Sequence, residues 1–106
     1  MKISEAIKIG MQGRHQRRGL YFDLYTEDVS EIKECCALGA AYLGWFQATK
    51  TPLKAPFQLP FEAGHIISKF ECIQDQSGIV RDIIQWNDFY KLSFDEIIAK
   101  LEERGM

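Results

Sequence analysis

The sequence predicts a mainly α, single compact domain of four to five helices around a central apolar helix at 31–46. Two observations carry that prediction. Within 31–46, Ile32, Cys36, Gly39, Leu43 and Phe46 recur at steps of four, three, four and three, and Cys35, Leu38, Tyr42 and Trp45 recur beside them. A helix apolar around most of its circumference belongs at the centre of its domain. On either side lie stripes with the same period and with end signals. Ile3, Ile7, Met11 and Arg14 mark one, and Phe94, Ile97, Ile98 and Leu101 the other. The 106 residues suit one domain, 1–106.

Taken in order, the first helix is expected over 3–18, begun near Ser4 and closed by Gly19. Gly10 and Gly13 each cost it about 1 kcal/mol relative to alanine, so tertiary contacts must hold it. Residues 20–25 (LYFDLY) carry apolar side chains on both faces and read as a short extended or irregular buried segment. Asp28 and Glu31 stand in capping-box spacing ahead of the central helix, and Gly39, Ala40 and Ala41 keep its girth small where a neighbour packs close.

The stretch 49–64 places Pro52, Pro56 and Pro60 at steps of four, which forbids a continuous helix. It is expected to be a Pro-rich loop within the domain, extended in part and laid over the core by Leu53, Phe57, Leu59 and Phe61. Ile66, Phe70 and Ile73 mark one face of a further helix at 65–73. Residues 79–86 suit another, ending near Asn87, with a strand over 79–84 left open by its β-branched residues. Ser93 and Glu96 open the last helix as a capping box, and Gly105 follows its end.

Thirteen basic and fifteen acidic side chains leave a net charge of −2, which argues against non-specific nucleic-acid binding. Against that average, Arg14, His15, Arg17 and Arg18 lie together. Cys35, Cys36 and Cys72 make an odd set without CxxC spacing, a poor disulfide or zinc framework, and are expected to be buried thiols in a reducing cytoplasm. Residues 1–13 lack the apolar core of a secretory signal, and no apolar run approaches the ~20 residues of a membrane helix.

Two constellations are candidates for binding. Arg14, Arg17 and Arg18 offer planar forks suited to phosphate or carboxylate, although cations at a helix end also simply complement its dipole. Trp86, Asn87 and Asp88 form a polar corner, in which the amide and carboxylate bond nearby backbone and the indole anchors the turn. A third arrangement sets Cys36 as nucleophile with His65 as base and Asn87 or Asp88 as orienter. It is disfavoured by the apolar stripe on which Cys36 lies, because burial raises a thiol pKa. Cys72 and His65 are too far apart for one metal ion, so no metal or cofactor is expected.

ECCALGAAYLG (34–44) followed by WNDFYKLSFDEIIAKL (86–101) resembles a family of small uncharacterised bacterial and bacteriophage proteins. Its members share a Cys-Ala-Leu-Gly-Ala helix, matched by Cys36, Ala37, Leu38, Gly39 and Ala40, and a Trp-Asn-Asp turn, matched by Trp86, Asn87 and Asp88. A capped helix follows, matched by Ser93, Asp95, Glu96 and Ile97. The resemblance spans most of the chain but not its proline-rich middle. Tyr90, Lys91 and Leu92 replace the family's Pro-Gly-Arg, so no role for that arginine carries over. The resemblance implies a fold and a bacterial or phage setting, and no reaction. The expected function is accordingly a non-enzymatic binding or regulatory protein acting through protein contacts. The alternatives are a small-nucleotide or phosphate-ligand binder using Arg14–Arg18 and, less favoured by the residues, a cysteine-dependent hydrolase or transferase.

Overall fold

A computed structural model describes residues 1–23, 29–50, 68–71 and 76–106. Among these, four helices and one small parallel sheet form a mainly α domain: α1 (Ile3–Gly10), β1 (His15–Gln16), a 3-10 turn (Val29–Glu31), β2 (Glu34–Cys35), α2 (Ala37–Thr49), α3 (Gln76–Asp88) and α4 (Phe94–Glu103). The Pro-rich loop at 49–64 lies outside the described residues beyond Lys50, as does most of the expected helix at 65–73. Residues 68–71 of that stretch form a turn that buries Phe70. No helix among the described residues is long and apolar enough to cross a membrane.

α2 is the centre of the fold, with Ala37 through Gly44 all buried. It starts at Ala37, six residues after the expected boundary. The intervening chain is extended because it is paired on both sides. His15 and Gln16 align in parallel with Glu34 and Cys35, and Phe22 bridges Cys35 antiparallel from the other side. Apolar residues at helical steps, Ile32 and Cys36, are equally well buried by this arrangement. The extended reading of the 20–25 segment holds at 21–23, where Phe22 is fully buried; residues 24 and 25 lie outside the described set.

α1 ends at Gly10, not Gly19. Gly13 adopts φ 72°, a left-handed conformation that turns the chain out of the helix and into β1. The buried face of α1 is Ile3, Ala6, Ile7 and Gly10. It meets α2 with almost nothing between the backbones: a Cβ built on Gly44 would overlap the carbonyl of Ala6, and one on Gly10 the carbonyl of Ala40. Ala6 and Gly10 on one helix and Ala40 and Gly44 on the other are thus small because larger side chains have nowhere to go.

α3 is helical through 79–84, where a strand was the open alternative. Ile79, Ile83 and Asn87 follow at steps of four, and all three are buried. The helix continues through Asn87 to Asp88. The amides of Phe89 and Tyr90 then both donate to Gln85 O, and Lys91 turns the chain at φ 53°. α4 opens as the sequence indicates: Ser93 Oγ accepts from Glu96 N at 3.1 Å, and Ser93 N donates to Glu96 Oε1 at 3.1 Å. Its stripe of Phe94, Ile97, Ile98 and Leu101 is buried, and Gly105 takes φ 74° after its end.

The α1–α2 seam makes a signed prediction. Gly→Ala within a helix ordinarily stabilises by about 1 kcal/mol. At Gly44 the overlap with Ala6 backbone outweighs this gain, so Gly44→Ala lowers stability, by about 1–3 kcal/mol as overpacking does. Urea denaturation of the two proteins checks the sign; a stabilised variant would mean that the helices separate freely.

Candidate functional site

Asn87 is the point where the distant parts of the chain meet. Its side chain is 1% exposed although polar. Oδ1 accepts from the backbone N–H of Ala37 at 3.0 Å and from Gln16 Nε2 at 2.7 Å. Nδ2 donates to Arg17 O and to Asp88 Oδ1, both at 2.8 Å. A carboxamide has two donors and one oxygen acceptor, and here each is engaged. The Ala37 N–H is one of the orphan donors at the start of α2, so Asn87 caps a helix fifty residues away in sequence. Gln16 completes the arrangement by donating also to Leu92 O at 2.8 Å.

Asp88 extends this cluster. Its Oδ1 accepts from Gly19 N at 3.0 Å and thereby fixes the crossover from β1 to the 21–23 segment. Both of its bonds use Oδ1; Oδ2 takes none among the described residues. Trp86, the third member of the expected corner, is half-buried and turns away to α4, where the Arg104 guanidinium lies 4.9 Å and Lys100 Nζ 5.7 Å from its ring. Asp82 Oδ2 accepts from Arg104 Nη1 at 2.9 Å and holds that cation over the ring. Trp86 thus anchors α3 to α4, and Asn87 and Asp88 anchor α3 to everything else.

Above Asn87 and Asp88 lies a cavity of about 130 Å³, walled by Leu20 and Tyr21 from the crossover, Ile83 and Ile84 from α3, and Cys36 and Leu38 at the start of α2. It brings Cys36, Asn87 and Asp88 to one place, while His65 lies outside the described residues. Cys36 does not lie inside a helix, as expected for 31–46, but is the N-cap of α2, its Sγ accepting from Gly39 N at 3.3 Å. That position by itself favours a thiolate. Burial wins: it pushes the thiol up to about 11, against the lowering by the Gly39 and Leu38 amides, and Asp88 adds to the rise. Cys35 is pushed up to about 12, chiefly by burial. Both thiols are protonated at neutral pH.

The arginines do not form one exposed patch. Arg14 folds inward because the Gly13 turn carries it back across the end of α1: Nη1 donates to Gly10 O at 2.8 Å, Nε to Ile32 O at 2.9 Å and Nη2 to Val29 O at 2.8 Å. Arg17 is half-buried, with Nη1 3.7 Å from Glu34 Oε1 and a buried Nε that meets no acceptor among the described residues. Arg18 alone is fully at the surface. The expectation of a single basic helix end fails because the helix stops at Gly10 and the arginines flank the short strand His15–Gln16. Among the described residues no group of three or more His, Cys, Asp or Glu stands ready for a metal ion.

Sequence reasoning missed Gln16, whose amide is as central as that of Asn87, and missed Phe89 and Tyr90, which are 79% and 69% exposed beside Asp88. Their exposure had a signal: two aromatics directly after a helix, at positions outside its apolar stripe.

Two outcomes follow from this geometry. Asn87→Ala leaves the buried Ala37 N–H without an acceptor and lowers stability by about 2–3 kcal/mol, read as a fall in the urea midpoint. An unchanged midpoint would show that water replaces the carboxamide. For Cys36, a pKa near 11 in place of 9.0 leaves about 100-fold less thiolate at pH 8. Alkylation by iodoacetamide is therefore slow and keeps accelerating to about pH 11, because only the thiolate reacts; a rate that levels off below pH 9 would contradict this environment.

No known protein family, curated protein or solved structure matches this chain.

Proposed function

We propose that this chain is a non-enzymatic binding protein, of a bacterial or phage setting as its resemblance implies and of the cytoplasm as its free thiols suggest, that seats one apolar side chain of a protein partner in the cavity above Asn87 and Asp88. The observation that carries the reading is the exposed Leu20 at that cavity, together with the exposed aromatics that come next in the chain after Asp88. Leu20, which lines it, is 51% exposed, and Phe89 and Tyr90 follow directly on the Asp88 wall. Surface aromatics left in water directly after a wall residue of an apolar cavity fit the composition of an interface anchor. The volume of about 130 Å³ suits a single ring or branched aliphatic side chain, being close to the ~150 Å³ that accommodates benzene in an engineered protein cavity. Asp88 Oδ2, at the wall, supplies an acceptor for a partner N–H or cation. The raised pKa of Cys36 supports binding over nucleophilic catalysis, since burial keeps this thiol protonated at neutral pH.

Selection of a displayed random-peptide library on the wild-type chain tests this. Peptides with an aromatic or branched aliphatic anchor are expected to be enriched, and to bind the double variant Phe89→Ser, Tyr90→Ser at least about tenfold more weakly, as for loss of an interface hot spot. Both side chains are exposed, so the variant retains the fold, which circular dichroism checks. Peptides that bind both proteins equally, or no enrichment at all, would overturn the reading.

A further inference from the structure

A second concave site lies on the opposite side of β2, and its chemistry differs from that of the first. It is an open pocket of about 320 Å³ between the end of α1, the Gly13 turn and residues 30–33. Its polar lining is Arg14, Lys33, Gln12, Gln47 and Ser30, with Ile9 among the apolar wall residues. Two side-chain cations, two carboxamides and a hydroxyl face one space, and no carboxylate of the described residues lines it.

Arg14 is the distinctive member. Three of its five N–H groups are taken by backbone carbonyls, which lock the guanidinium in place. Those carbonyls solvate the charge without neutralising it. No carboxylate of the described residues lies within ion-pair distance of Arg14, although Lys8, Arg17 and Arg104 each have one. Lys33 is held on the same side, its Nζ donating to Ser30 O at 3.0 Å. Among the described residues the charge is thus fixed in position, half-buried and without a carboxylate partner, which is the arrangement of an anion receptor.

We infer that this pocket binds a small phosphate-bearing ligand, with the phosphate between Arg14 and Lys33 and the carboxamides of Gln12 and Gln47 donating to its remaining oxygens. A dianion matches two cations better than a carboxylate does, and the planar guanidinium presents paired donors to adjacent phosphate oxygens. This surface is independent of the cavity above Asn87, so it stands or falls separately from the protein-partner reading.

The test is titration of the ¹⁵N-labelled chain, followed by amide and side-chain resonances, with inorganic phosphate, adenosine monophosphate and acetate. Phosphate and the nucleotide are expected to shift the Gln12, Arg14 and Lys33 signals saturably, at millimolar concentration or below, with affinity falling as salt rises. Acetate is expected to bind at least about tenfold more weakly, having one charge and two oxygens. Tighter binding of the nucleotide than of phosphate would assign its body to the apolar wall at Ile9 and support the site. Arg14 holds three carbonyls, and its removal threatens the fold, so the informative variant is Lys33→Met, in which phosphate affinity should drop about tenfold while the backbone spectrum elsewhere is unchanged. Absence of saturable shifts with either phosphate compound, equal binding of acetate, or unaltered affinity in Lys33→Met would overturn the inference.

Discussion

A single carboxamide fixes how the extended half of this protein meets its helical half. Asn87 reaches the sheet through Gln16 and Arg17, the start of the central helix through Ala37, and the crossover loop through Asp88 and Gly19. Each bond costs little to form from a side chain already fixed on a helix, and each would be expensive to lose, because the Ala37 amide is buried and has no access to water. The register of β1 against β2, the starting point of α2 and the position of the cavity wall are therefore one linked decision. Change the direction of α3 by a few degrees, and all of them lose their common partner.

The second constraint is the approach of α1 to α2. There, burial of apolar area matters less than the absence of side chains, which lets two backbones touch along Ala6, Gly10, Ala40 and Gly44. Dense contact of this kind is individually weak and collectively strong. It leaves other faces of α2 to α3 and the 21–23 segment, while α4 packs on α1 and α3. That allocation explains why both concave sites sit at the edges of the small sheet: the helix faces are used up by packing, and the irregular segments between them are where the surface can be hollow.

Much of this was legible in the sequence and some was not. The small-residue face of α2 and the capped α4 were readable because periodicity and capping are local signals that tertiary contacts reinforced. Trp86, Asn87 and Asp88 were recognisable as a corner, but the partners of Asn87 were not, since residues 16, 17 and 37 carry no local mark of pairing with it. The stretches at 14–18 and 31–35 were misread for one physical reason. Their apolar and basic residues fit a helical period, yet a left-handed Gly13 and pairing of three extended pieces supplied backbone hydrogen bonds that a helix would otherwise have provided. The inward turn of Arg14 follows from that same substitution of sheet for helix.

The span of the bonds made by Asn87 has a kinetic consequence. Its partners lie 50, 70 and 71 residues away along the chain, so none of these contacts forms until long loops have closed, and closure entropy is met before any of them contributes. The α1–α2 seam needs a much shorter loop and no polar partner from the distal half. Loop closure alone therefore favours assembly of the seam over the docking of α3. The same difference favours local opening at the cavity wall over opening of the seam. The proposed partner surface is thus also the one that loop closure leaves most readily adjustable.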